Sequence, residues 1–206
     1  KRTWGSQVSI TMAKDKELLD LYAASGGKYA FIGLESLSEE NLKDVNKSWN
    51  SPKNYKNAIK KIHDAGIDVI GSFVFGLDFD DPGVFERTFD FIMDAKIDAA
   101  QFHILTPLPG TVLYKEFEKD GRIIDRDWAK YHTGEVVYQP KGMTIDELIE
   151  GFHWIYTTTY STKNILKRSF RSFKGLLYRI AANLSYKKKA LRAPVPKTHT
   201  IKFPKR

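Results

Sequence analysis

Cysteine is absent from all 206 residues. That excludes disulfides and any thiolate ligation of zinc or an iron-sulfur cluster by this chain, and it leaves the redox compartment open. No run approaches the roughly 20 apolar residues needed to span a bilayer. The opening residues, KRTWGSQVSI, lack the apolar core of about 7 to 15 residues that marks a signal peptide. Acidic residues are missing after Glu150, where 14 Lys and Arg stand unopposed. The first 150 residues hold the other 19 basic side chains against 25 acidic ones, so the basic character belongs to the tail alone. No phosphate-binding glycine loop, nucleophile elbow or dinucleotide fingerprint is present. His63, His132, His153 and His199 show no ligand spacing with acids, so no metal site and no catalytic residue is assigned. The first residue is not methionine and a strand pattern begins by residue 7, so the sequence is expected to be a piece of a longer protein.

What the chain does contain is a repeat. YAFIGLES (29 to 36), GIDVIGSFVFGLDFDD (66 to 81) and AAQFHILTPLPGT (99 to 111) each read as a buried strand ending in glycine, carboxylate, amide or proline. Helical patterns separate them. Ser51 and Pro52 give a start signal ahead of Tyr55, Ile59 and Ile62, and Gly66 gives the left-handed stop. Asp81 and Pro82 repeat the start signal before Val84, Phe85, Phe89 and Ile92. Upstream, a short alternating run (Gln7 to Ile10) precedes a helix over Asp15 to Ser25 that ends at Gly26 and Gly27. Four βα units in a row with continuous apolar strands predict a parallel sheet covered on both sides, with its chemistry at one rim. A closed eight-unit barrel needs roughly 250 residues, so the expectation is part of a barrel or a small open sheet.

Gly121 ends a further helix containing Leu113 and Phe117, and residues 122 to 142 read as an aromatic-rich loop around a short strand, Glu135 to Tyr138. Thr144 and Glu147 form a capping box that opens a helix with the apolar stripe Leu148, Phe152, Ile155 and Tyr156. From Ile165 to Leu191 apolar and basic residues alternate at roughly helical spacing, and the proline-broken end reads as disordered. Three segments are therefore expected: 1–121 as the barrel part, 122–162 as an accessory region with the capped helix, and 163–206 as a basic amphipathic helix and tail.

The order F-I-G-L-E-S, then G-I-D-V-I-G-S-F-V-F-G-L-D, then Q-F-H-I-L-T-P-L-P-G-T, at βα spacing, resembles the later strands of radical S-adenosylmethionine (radical SAM) enzymes. It resembles especially the group carrying an N-terminal cobalamin-binding domain. The resemblance covers about residues 1 to 121. It implies an α/β fold, the C-terminal half of a partial (β/α)6 TIM-like barrel followed by a helical accessory region. It also implies S-adenosylmethionine and a [4Fe-4S] cluster as cofactors, with cobalamin a further candidate in the parent protein. The two earlier strands, the three-cysteine cluster loop and the glycine-rich segment would lie outside these residues, so the chain alone is expected to be inert. The implied function is that of a fragment of a radical methyltransferase or related C–H-functionalising enzyme.

The same resemblance implies cofactor-facing positions. Glu35 occupies the strand end where the family places a polar group near the ribose or amino acid part of the cofactor, and an ionised carboxylate accepts hydrogen bonds from hydroxyls or an ammonium. It shares a strand face with Phe31 and Gly33. The alternative is that Glu35 and Ser36 cap the next helix, with Ser36 the better cap. Gly71 and Gly76 lie where the family runs backbone beside the adenine; tight packing is the competing explanation. Ile70 and Val74 are expected in the core. Asp78, Asp80 and Asp81 open like a calcium loop, but its twelfth position is Phe89, so Asp81 reads as a helix cap and Asp78 or Asp80 as rim residues. Gln101 and His103 share a face with Leu105 and would meet substrate or adenosine if that face is the lumen; buried structural hydrogen bonding is the alternative.

The expected partners are the missing N-terminal half of the barrel, a small-molecule or lipid substrate, and an anionic membrane surface that the basic tail would contact from a cytoplasmic, peripheral location. RNA is the alternative partner of that tail, with Phe170, Phe173 and Tyr178 available to stack. A non-enzymatic βα binding scaffold is the alternative to an enzyme. An exposed apolar sheet edge is expected where the missing strand would pair.

Overall fold

The computed structural model describes residues 2–47, 49–173, 175–190, 201, 203 and 204. Four parallel strands, β1 (Trp4–Val8), β2 (Gly27–Glu35), β3 (Asp68–Phe75) and β4 (Ala99–Ile104), stand side by side in chain order. A 3-10 turn (Ile10–Lys14) and helix α1 (Lys16–Ser25) link β1 to β2; α2 (Glu39–Asp44) and α3 (Pro52–Asp64) link β2 to β3; α4 (Val84–Asp94) links β3 to β4. Sequential parallel strands joined by helical crossovers, each beside the next, are the arrangement of a TIM-like barrel.

The strand period divides the sheet into two faces. Ala30, Ile32 and Leu34 of β2, Val69, Phe73 and Phe75 of β3, and Phe102 and Ile104 of β4 are buried against Tyr55, Ile59 and Ile62 of α3 and Phe85, Phe89 and Ile92 of α4. Phe75 and Phe85 are 4.7 Å apart between ring centres. The other face, concave in a barrel, is only half-buried at Phe31, Gly33, Glu35, Ile70, Val74, Gln101 and His103. Ile70 and Val74 therefore lie outside the core expected of them, because they alternate with the residues that fill it.

Helix α5 (Val112–Lys119) follows β4; α6 (Ile145–Thr159), α7 (Thr162–Ser169) and α8 (Leu176–Ala190) come after it, in the segments expected as accessory region and basic tail. The capping box at Thr144 and Glu147 is present, and Leu148, Phe152 and Ile155 are buried. Several local expectations fail. Gly83, not Asp81, is the N-cap of α4, and Asp81 instead accepts from the Gly83 N–H at 2.7 Å. The strand at 135 to 138 reduces to a single antiparallel bridge, Ile123 to Tyr138. The basic stretch is two helices rather than one, broken before Gly175, whose φ is +78°. Disorder is not observed at Ile201, whose N–H donates to Glu150 Oε2 at 2.8 Å, or at Phe203, whose ring stacks 4.8 Å from Trp154. Residues 191–200 lie outside the described residues. The β1 edge is largely exposed, but its sequence, WGSQV, is not the apolar edge expected. No helix among the described residues is long and apolar enough to cross a membrane.

Candidate functional site

In a parallel sheet every strand ends at the same rim, and β2, β3 and β4 deliver Glu35, Gly76 and His103 to one mouth. On the concave face, register sets Phe31 beside Ile70 and Ala99, Gly33 beside Ser72 and Gln101, and Val74 beside His103.

Glu35 ends β2 at a break in register, with φ +63°, a left-handed conformation that non-glycine residues seldom adopt. Such backbone persists where its surroundings enforce it, and it clusters at functional sites. Three side chains enforce it. Asn50 Nδ2 donates to the Gly33 carbonyl at 3.2 Å, Tyr55 Oη donates to the Leu34 carbonyl at 2.9 Å, and Lys47 Nζ donates to the Glu35 carboxylate. A side chain on Gly33 would sit 2.4 Å from Glu35 Oε1, so the carboxylate folds back over that glycine onto the concave face. Glycine at 33 makes its room. The Glu35 and Lys47 side chains retain 17% and 36% exposure, so the ion pair faces the mouth rather than the core.

Ser36 is not the N-cap of α2, which is Ser38. It is buried, and its Oγ accepts from the Ser38 N–H at 3.1 Å and from Asn41 Nδ2 at 3.4 Å. Asn41, fully buried, also donates to Asp80 Oδ1 at 2.7 Å and accepts from the Phe79 N–H at 3.0 Å. Asp80 Oδ2 accepts from the Gly76 and Leu77 N–H groups at 3.0 and 3.1 Å. One buried network thus ties the loop after β2 to the loop after β3. Burial pushes the Asp80 carboxyl up to about 7, against the pull of those two amides and Asn41.

Gly76 has φ +85°, and an added side chain would meet Tyr138 Oη at 2.2 Å; the Tyr138 hydroxyl donates to the Gly76 carbonyl at 2.5 Å. Glycine is required there by the turn and by the close approach. Gly71 belongs elsewhere. Its missing side chain would point toward Leu34, Phe73 and Ile97 in the apolar core, so the competing explanation, tight packing, accounts for the glycine there. Asp78 pairs with Arg122 at 2.7 Å and with Lys141 at 2.5 Å, and the Arg122 guanidinium lies 3.8 Å from the Phe117 ring centre. That clamp docks the accessory loop and holds the Asp78 carboxyl below its ordinary range despite burial.

Gln101 and His103 do share the concave face, and each meets a residue beyond α5: Gln101 Nε2 donates to Tyr186 Oη at 2.7 Å, and His103 Nδ1 lies 2.9 Å from Thr133 Oγ1. Lys47, Asn41 and Tyr138 were not singled out from sequence. A short acidic helix following GLES was the available signal for Asn41; nothing local marked Lys47.

Residues 5–92 match the radical SAM superfamily model, and residues 111–197 match a domain of unknown function (DUF4070). Bacteriochlorophyllide d C-12(1)-methyltransferase of Chlorobaculum tepidum is 35% identical over 165 residues, covering 80% of this chain and 36% of that protein. The archaeal Elp3 of Methanocaldococcus infernus superposes with a TM-score of 0.56 at 18% identity, over 75% of this chain and 32% of that one. TsrM of Kitasatospora setae, a radical S-adenosylmethionine methyltransferase with cobalamin and a [4Fe-4S] cluster bound, superposes with a TM-score of 0.50 at 18% identity, over 60% of this chain and 23% of that one. The chain spans about a third of the length of the curated relatives it matches. Strand order, the common mouth and the match over residues 5–92 agree, and the chain belongs to the radical SAM superfamily.

Proposed function

We propose that this chain supplies the later strands of the barrel of a cobalamin-dependent radical SAM enzyme that methylates, or otherwise functionalises, a C–H position of a large apolar small molecule. The family implies S-adenosylmethionine and a [4Fe-4S] cluster. The residues present do not fit the cluster: cysteine is absent, and among the described residues no group of three or more His, Cys, Asp or Glu side chains is placed to hold a metal ion. In this reading its ligands come from a segment outside these residues, and so does the cobalamin site. The residues do fit S-adenosylmethionine, which when bound supplies the radical and methyl chemistry.

The observation that carries the reading is the Glu35 carboxylate, folded over Gly33 at the mouth on enforced left-handed backbone. There it would accept from the cofactor's hydroxyls or ammonium, while Lys47 holds it in place and offers an ammonium to an anionic group. Gly76 and the Asn41–Asp80 network would fix the adjoining loop, and Gln101 and His103 would bound the pocket on the β4 side. Apolar side chains exposed on the loops leaving this rim, Trp49 at 60%, Phe79 at 59% and Leu108 at 49%, favour an apolar substrate. A macrocycle such as that of the bacteriochlorophyllide methyltransferase has this character. Among the described residues, exposed Lys163, Lys167 and Lys188 would be available to an anionic membrane surface.

The test is S-adenosylmethionine binding to this chain joined to its cysteine-bearing segment, with the cluster reconstituted. Glu35→Gln is expected to weaken binding about tenfold or more, the loss of one charge-assisted hydrogen bond, with cluster absorption unchanged. Unaltered affinity would reject the assignment.

A further inference from the structure

β4 is an edge strand, and an edge exposes backbone N–H and C=O groups that invite another chain. Here several of those groups are met by residues that follow α5. Tyr160 Oη accepts from the Ala100 N–H at 2.9 Å and donates to the Ala100 carbonyl. Tyr156 Oη donates to the Phe102 carbonyl at 3.2 Å. Above them the Ile104 N–H donates to the Thr133 carbonyl at 2.8 Å; below them Asn183 Nδ2 donates to the Asp98 carbonyl at 2.7 Å.

The spacing explains why a helix can do this. Residues four apart on a helix rise about 6 Å, and residues two apart on a strand about 6.6 Å, so Tyr156 and Tyr160 meet Phe102 and Ala100 in antiparallel order. Both tyrosines are built into the packing: Tyr160 is 1% exposed and stacks with Tyr186 at 5.7 Å, and Tyr156 meets the Phe102 ring edge-on at 4.9 Å. Burial raises both phenols above their ordinary range, so both stay protonated donors. Tyr186 carries the same device round to the concave face, where its hydroxyl holds the Gln101 amide.

We propose that the region from Ile145 to Ala190, most of the stretch matched by the domain of unknown function, terminates the sheet: a ladder of side chains takes the place of a further strand at the β4 edge. It stops the barrel there and denies the edge to a second copy. The inference rests on the hydrogen bonds of β4 alone and holds whatever the mouth binds.

Amide hydrogen exchange of the 206-residue chain, read by NMR, tests it. In the unmodified chain the Ala100 and Ile104 amides, which face away from β3, are expected to exchange as slowly as the β3-facing amides of the same strand; fast exchange at both would overturn the proposal. Tyr160→Phe keeps the ring and removes only the hydroxyl, and it should speed Ala100 exchange about tenfold or more. Tyr156→Phe should leave Ala100 protected, and Tyr131→Phe, whose hydroxyl meets the Asp125 carbonyl instead, should change nothing on β4. The double variant Tyr156→Phe/Tyr160→Phe should self-associate in sedimentation. Wild-type exchange at Ala100 in Tyr160→Phe would refute the ladder.

Discussion

The two ends of the sheet bury carboxylates in opposite ways. At the lower end, where β3 and β4 begin, Asp68 and Asp98 are surrounded by charged and polar partners: the Arg171 guanidinium reaches Asp68 at 2.6 Å and Asp98 at 3.1 Å, Arg179 reaches Asp68 at 3.1 Å, and His63 Nε2 lies 2.9 Å from Asp98. Burial alone would raise the Asp98 carboxyl, but the His63 hydrogen bond and the neighbouring charges hold it below its ordinary range; Asp68 is raised, by burial first and then by the Asp98 charge beside it. At the upper end Asp80 meets only neutral donors, and Glu35 a single half-exposed lysine. The lower end spends charge on holding the tail to the barrel. The upper end leaves charge poised at an opening, which is where barrels of this kind place their chemistry.

That contrast can be broken at several points. Asp98→Ala strips the partner from buried cations and from the Val69 N–H, and it should cost about 3–5 kcal/mol by urea unfolding. A loss below about 1 kcal/mol would show that the lower cluster is not a lock. The pH dependence comes next. Because Asp80 is raised in the fold from an unfolded value near 4, its contribution is full below about pH 4. It declines by about 1.4 kcal/mol per pH unit as pH rises, and is gone beyond about pH 7. Asp80→Asn should flatten that slope. Asp98 acts in the other direction, contributing above its unfolded value and losing the contribution as pH falls through its lower folded one. Gly76→Ala, forcing a side chain into left-handed backbone against Tyr138, should cost about 1–3 kcal/mol in thermal unfolding. Glu35→Gln should shift stability by no more than about 0.5 kcal/mol, since its pair is half-exposed.

Much of this was legible in the chain. Periodic apolar strands, Gly66 as a helix stop and the Thr144–Glu147 capping box are local signals, and the α/β order followed from them. Glu35, Gly33 and Phe31 fell on one face by the period of two alone. What stayed hidden was long-range. The tail's arginines looked available for an anionic surface, yet Arg168, Arg171 and Arg179 turn inward, and Arg168 donates to the Ile97 and Thr159 carbonyls. Their partners on the sheet side, Ile97, Asp98 and Asp68, lie some 70 to 110 residues earlier, a separation no pattern announces. Gly71 and Gly76 look alike in sequence, five residues apart on one apolar run, and only the fold separates a packing glycine from a turn glycine.

The most direct measurement is calorimetric titration of S-adenosylmethionine into the cluster-loaded protein as wild type and as Glu35→Gln, with urea stability taken on the same samples. The account predicts at least tenfold weaker binding at unchanged stability. Equal affinity, or affinity lost only together with the fold, would contradict it.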